Sequence, residues 1–249
     1  MSEPLSDPSL ETMAENVPLP VNQVDIAVTG TAPPVLIEDM PSIQSGWLKR
    51  ASDNPLLFNG PIYLTSDLKL SGGQLSGRAF RTDYATLMHW RGNATLQSTA
   101  NVWHVFPLAA IESSDGHLIA TRAASTTTNA GRVYFAGGTF DDEDVEDGKL
   151  QPHANMHREV LEETGLVLAD MDAGPNLTLI RSNRFVCLFR RYVARQDSAA
   201  LLGCIRQHVR GQDNPELDDG ILIQTATDIS DVMPPYMRAY CRWRLSLMP

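Results

Sequence analysis

Residues 158–166 read Arg-Glu-Val-Leu-Glu-Glu-Thr-Gly-Leu. On a helix, Glu159, Glu162 and Glu163 stand at i, i+3 and i+4, within about 100° of arc on one face. Three neighbouring carboxylates repel one another and disfavour the helix unless a cation neutralises them. Mg²⁺ or Mn²⁺ is the natural occupant, because a hard divalent ion takes oxygen ligands and keeps waters for a phosphate-bearing substrate. Arg158 precedes Glu162 by four residues and can hold that carboxylate in one rotamer. The alternative is a solvated acidic helix face. The surroundings argue for a site: a strand ending in Gly137-Gly138 comes before the helix, and Gly165 ends it.

The elements that must position this helix can be read on either side. Residues 1–20 are rich in Pro, Ser and Glu without periodicity and read as a disordered arm. Residues 21–95 read as an N-terminal extension: a short strand at 24–29, a helix bearing Ile43, Trp47 and Leu48, two strands joined at Ser71-Gly72-Gly73, and a short helix capped by Thr82 or Asp83. Residues 96–249 read as the main domain. Its clearest β signal is two apolar strands around a Ser-Asp-Gly turn at 114–116. A strand pair over 176–194, a helix over 198–211, a strand near 220–225 and a closing helix over 233–248 follow.

The nine residues 158–166 match the second half of the Nudix box, G-x5-E-x7-R-E-U-x-E-E-x-G-U, at every fixed position, and Gly137-Gly138 resembles its opening. The resemblance implies an α/β fold, the α/β/α sandwich with a mixed central sheet, and Mg²⁺-dependent attack of water on a diphosphate joined to a nucleoside. The chain departs from the box in two ways. Six residues are extra between Gly138 and Arg158, and the box's first Glu has no equivalent: counting from Gly138 gives Asp144, counting back from Arg158 gives Leu150. The acidic run DDEDVED at 141–147 either supplies a substitute carboxylate or is solvated. The segments PSIQSGWLKRASDNPLLFNGP, SGRAFRTDYATLMHWR and PELDDGILIQTATDISDVMPPYMRAYCRWRL also resemble the branch of eukaryotic UDP-glucose diphosphatases, which implies cleavage of UDP-glucose to UMP and glucose 1-phosphate.

On this reading Glu159 and Glu163 are expected to hold metal, with Glu162 as ligand or metal-water contact. The carbonyl of Gly138 completes the shell, since glycine lets backbone approach closely. Water activation falls to Glu163 or Glu162, with Arg158 in support. Arg122 is the expected diphosphate clamp, or else a solvated arginine. Phe58 and Tyr84 are candidates to stack on a uracil ring, with core packing the alternative for Phe58. Asn59 reads a base edge or forms a turn. Glu216 is a candidate carboxylate near the metal. His153 and His157 lack a third zinc ligand. ADP-ribose, NADH or CoA cleavage, and a catalytically silent nucleotide-binding regulator, remain the competing functions.

The net charge of −10 disfavours nonspecific nucleic-acid binding. It is concentrated: residues 1–48 hold seven acids and no Lys or Arg, and residues 141–147 hold six acids. The remainder is balanced at +3, which suits a small phosphate-bearing substrate. No apolar run reaches the roughly 18 residues of a membrane span. No secretory signal is visible, and three widely spaced cysteines suit a reducing cytosol. A cytoplasmic monomer or homodimer is expected.

Overall fold

The computed structural model describes residues 10–248. In chain order the elements are β1 (Leu19–Val21), β2 (Gln23–Val28), α1 (Pro34–Glu38), α2 (Met40–Asp53), β3 (Pro61–Ser71), β4 (Gln74–Asp83), α3 (Tyr84–Arg91) and α4 (Ala94–Thr99). There follow β5 (His104–Glu112), β6 (Leu118–Ala123), β7 (Val133–Tyr134), β8 (Val145–Glu146), β9 (Lys149–Leu150), α5 (Pro152–Thr164), β10 (Asp172–Ser182), β11 (Phe185–Val193), α6 (Ser198–Arg210), β12 (Leu217–Ile223) and α7 (Pro235–Leu245).

The main sheet has the order β1-β10-β11-β5-β6-β12, with β7 also paired to β6. It is mixed: β11 and β5 run parallel, while β10–β11, β5–β6 and β6–β12 are antiparallel. Every residue of β5 is buried, as a strand covered on both faces must be. Val105, Ala109 and Ile111 join a core with Met156 and Val160 of α5 and Leu201 and Ile205 of α6. Phe106, Leu108 and Ala110 point the other way, to Met237, Tyr240 and Cys241 of α7. Helices on both faces of a mixed sheet make this an α/β/α sandwich.

A second sheet, β3-β4-β2-β9-β8, lies beside it. Its Ile26, Tyr63, Leu75 and Ala79 enter the same core as Trp103 and Val105. Its other side covers α1, α3 and α4 through Leu36, Phe80, Leu87, Trp90 and Leu96. Asp83 caps α3 by accepting from the Thr86 amide, as the sequence suggested.

The structure corrects one expectation and decides an alternative left open by the sequence. The arm expected over 1–20 is structured from Leu10 onward, while residues 1–9 lie outside the described residues. Leu10 is fully buried, β1 pairs β10 from Leu19↔Leu179 to Val21↔Leu177, and Arg181 donates to the Met13 carbonyl. One buried leucine and three paired residues leave no periodic signal in so short a stretch. The acidic run at 141–147 is likewise not simply solvated: it forms a short 3₁₀ turn at Asp142–Asp144 and enters β8, whose hairpin partner β9 pairs with β2 at Ala27↔Lys149. Among the described residues, no helix is long and apolar enough to cross a membrane. Cys187, Cys204 and Cys241 are all free thiols.

Candidate active site

Helix α5 begins at Pro152, whose missing N–H costs nothing at that position. It ends at Gly165, which takes the left-handed conformation with φ 70° and donates to the Leu161 carbonyl. Asn155, Met156, Val160 and Thr164 form its buried stripe. That stripe fixes the helix rotation, so Glu159 and Glu163 fall at its edge, against the turn that follows β7.

The paired glycines make this approach possible. A Cβ at Gly138 would overlap the Glu159 carboxylate, and one at Gly137 would overlap the Pro107 carbonyl. Gly137 also has φ 148°, which other residues rarely adopt. The Gly137 amide donates to Glu163 Oε2 at 3.4 Å, and the Gly138 amide to Asn155 Oδ1 at 3.4 Å.

Burial, reinforced by Asp144, Glu162 and Glu216 against the opposing Arg158, pushes the Glu159 carboxyl up to about 7. Burial together with Glu159 and Glu216 holds the Glu163 carboxyl well above the usual range. Glu216, just before β12, thus lies within electrostatic reach of both. Repulsion among these carboxylates is what a bound cation would relieve. Among the described residues, no three His, Cys, Asp or Glu side chains are gathered closely enough to hold a metal ion. The closest approach to a cation site is the Glu159–Glu163 pair, whose mutual repulsion is joined by that of Glu162 and Glu216.

Arg158 is a hub. Its Nη2 lies 2.9 Å from Asp144, 3.1 Å from Asp141 and 3.1 Å from Glu159, and its Nη1 lies 3.3 Å from Glu162. Asp144 is 1% exposed and also accepts from Asn155 Nδ2 at 2.8 Å. It is therefore the acid of the run that turns inward to α5. The six extra residues are accounted for as well. The Gln151 amide donates to the Asp144 carbonyl at 2.8 Å, closing the chain around the β8–β9 hairpin. With residues 145–150 set aside, five residues separate Gly138 from Asp144 and Gln151 begins the seven that precede Arg158.

These groups open on a cavity of about 910 Å³, large enough for a nucleotide-sized ligand. Arg158, Glu159, Glu162, Glu163, Gly138 and Glu216 all line it. So do Phe58 and Tyr84 from the extension. Phe58 is 78% exposed, so it is not a core residue. The Tyr84 hydroxyl bonds to Thr128 Oγ1 at 2.6 Å. Asn59 is structural: it accepts from the Ala85 amide and donates to Asp83 at the start of α3. Arg122 is exposed on β6 and does not line the cavity. Strand alternation explains this, since its neighbours Thr121 and Ala123 are the buried ones. The cations on the cavity wall are Arg91, Arg132 and Arg158. Neither Arg91, at the end of the segment SGRAFRTDYATLMHWR, nor Arg132 stood out in the sequence, and only the fold brings α3 and the loop before β7 together. His153 pairs with Arg190 rather than with a metal partner.

No family profile and no curated protein sequence matches the chain. Among solved structures it is similar to a MutT protein from Methanosarcina mazei Go1, at 17% identity over 57% of this chain and 92% of that one, with a TM-score of 0.38. It is similar to the Nudix hydrolase RenU from M. smegmatis, at 11% identity over 58% and 84%, with a TM-score of 0.37. It is also similar to a bifunctional NMN adenylyltransferase/ADP ribose pyrophosphatase from Francisella tularensis complexed with AMP and a Mn ion, at 14% identity over 65% and 46%, with a TM-score of 0.41.

Proposed function

We propose that the protein is a divalent-metal-dependent Nudix-type hydrolase that cleaves the diphosphate bond of a nucleoside diphosphate-linked substrate. The proposed substrate is a UDP-sugar such as UDP-glucose, giving UMP and sugar 1-phosphate. The observation that carries this reading is the Glu159–Glu163 pair, packed against Gly137-Gly138 with both carboxyls pushed up by burial and repulsion. A protein keeps such a costly group where a cation will use it. The sugar assignment rests on the sequence resemblance alone.

Glu159, Glu163 and the Gly138 carbonyl would hold Mg²⁺ or Mn²⁺, with Glu162 and Glu216 at its waters. When bound, such an ion offsets diphosphate charge and lowers the pKa of a water. The protein's own residues do the rest. Arg158 fixes the carboxylates of Glu159 and Glu162 through one guanidinium. Asp144 fixes Arg158. Glu162, the exposed member of the acidic set, stands where an attacking water can reach it. Arg132, which lines the same cavity, would meet the phosphates. Phe58, exposed on the cavity lining, is a candidate to stack on the ligand's ring.

Glu163→Gln tests the reading. With UDP-glucose, UDP-galactose, ADP-ribose, NADH and CoA as substrates and Mg²⁺ present, the variant should lose at least about 100-fold in turnover. Its melting temperature should be unchanged or higher, because a buried repulsion is gone. Wild-type turnover in that variant would sink the metal assignment. Tight nucleotide binding by the wild type with no hydrolysis of any substrate would favour the silent regulator.

A further inference from the structure

A second group of side chains on the same cavity wall has no part in the chemistry above. His104 opens β5, its ring 4.7 Å from that of Phe106 and 5.9 Å from that of Phe185. Tyr236 meets Phe106 edge-on at 5.4 Å, and the Arg91 guanidinium lies 5.8 Å over Phe185. All five residues line the cavity. The group adjoins the glutamates, because His104 Nε2 bonds to Oγ1 of Thr139, the residue after Gly138, at 3.0 Å.

His104 is 5% exposed, and its Nδ1 is buried without a hydrogen-bond partner among the described residues, so a ligand atom reaches it only with a shift of the surrounding rings. A buried ring nitrogen left unmet is costly, and native proteins rarely tolerate one without a reason. Burial, with Arg91 adding to it, takes the imidazole down to about 3, so the ring is neutral. A neutral imidazole offers Nδ1 as donor or acceptor according to tautomer.

We propose that this aromatic group seats the nucleobase of the substrate, with His104 Nδ1 hydrogen-bonded to the base edge. The surroundings select a base over the other parts of a nucleotide. A phosphate calls for several cations or amides, and a sugar for several polar partners. Here aromatic rings surround one uncharged nitrogen and one guanidinium, which suits a flat ring with polar atoms on its rim. The proposal rests on the nucleoside-substrate reading and adds to it the location of the base.

The experiment exploits the two ring nitrogens. An Asn amide at position 104 reaches about where Nδ1 stands, whereas a Gln amide reaches about where Nε2 stands. Binding of UMP, AMP and inorganic diphosphate is measured by calorimetry for the wild type and for His104→Asn, His104→Gln and His104→Phe. His104→Asn should keep UMP affinity within about threefold, while His104→Gln and His104→Phe lose about tenfold, the worth of one hydrogen bond. Diphosphate affinity should be equal in all four. If His104→Gln restores binding and His104→Asn does not, His104 serves only Thr139 and the proposal fails. Should the variants not fold, the ¹⁵N resonances of the wild-type His104 ring report instead. Their shift on adding UMP, but not on adding diphosphate, supports the proposal, and an unmoved resonance overturns it. The readouts are independent of turnover. A protein that binds UMP through His104 but hydrolyses nothing would overturn the hydrolase reading and leave the base seat standing.

Discussion

Glu159 and Glu163 are the carboxylates of the proposed site that burial penalises. Their folded-state pKa values lie above the ordinary carboxylate value of 4.5, with Glu159 at about 7. The folded protein therefore binds more protons than the unfolded chain between those values. The stability this supplies is fully present below about 4.5 and is lost as pH rises through the folded pKa. The metal-free protein should melt roughly 5 °C or more lower at pH 8 than at pH 5.5 from these groups. Glu163→Gln should flatten that slope, and Mg²⁺ should restore more stability at pH 8 than at pH 5.5. Scanning calorimetry with and without EDTA measures this, and a metal-free stability that does not fall with pH would contradict it. The pair itself was legible in the sequence, because i, i+4 spacing places two side chains together on any helix. The role of Phe58 was not. An aromatic beside Pro and Gly reads alike in a core or at a cavity rim, and only its 78% exposure separates the two.

Among the elements, the β8–β9 hairpin is the clearest case of local sequence hiding tertiary use. Six acids in seven residues look the same solvated or engaged. In the fold they divide. Asp142 turns to Arg81, at 2.8 and 2.7 Å, and to the Tyr63 hydroxyl at 3.0 Å, and so ties the acidic run to β3 and β4. Asp144 turns inward to Arg158 and Asn155. The turn at Asp142–Asp144 that leads into the hairpin thus locks the second sheet to the helix that carries the glutamates. Asp144→Asn removes the buried charge facing Arg158. It should destabilise the protein by about 2–4 kcal/mol and lower turnover about 10- to 100-fold. Urea unfolding and steady-state kinetics check both. Wild-type kinetics would mean that Arg158 needs no second anchor. Neither partnership was readable in advance, because Tyr63 and Arg81 come from β3 and β4, and Asn155 and Arg158 from α5, all outside the acidic run.

Across the whole molecule, one buried carboxylate fastens the closing helix to the central sheet. Glu112 ends β5 at 3% exposure. It accepts from Arg191 Nε of β11 at 2.7 Å and from Arg244 of α7 through Nη2 at 3.0 Å and through Nε. Although burial opposes it, those two guanidiniums hold the carboxyl below its usual value. The sign is opposite to that of the site glutamates. The stability from Glu112 is present above the unfolded value of about 4.5 and is lost as pH falls through the folded value. Glu112→Gln should cost about 2–3 kcal/mol, the smaller end of a broken buried pair because Arg191 is partly exposed. It should also blunt the acid transition, as measured by chemical denaturation at pH 3.5 and 7. An unaltered acid transition would remove Glu112 from that role. The cavity is equally a product of the whole chain. Asn54 of the extension donates to the Thr126 carbonyl at 2.6 Å, and Phe58, Tyr84 and Arg91 reach the same space as Glu163 and Tyr236.

The sequence by itself determined what depends on spacing along one element: the acidic face of α5, its Gly165 stop, the glycine pair before it and most of the strands and helices. These follow from helical and strand periods and from backbone freedom at glycine, which act over a few residues. Only the tertiary structure decided which of several acids turns inward to Arg158 and Asn155, that Arg91 and Arg132 rather than Arg122 face the cavity, that Leu10 and β1 belong to the core, and that His104 is left with a bare nitrogen. Each of those outcomes depends on burial and on partners distant in sequence, and burial is settled only when the sheets and helices pack.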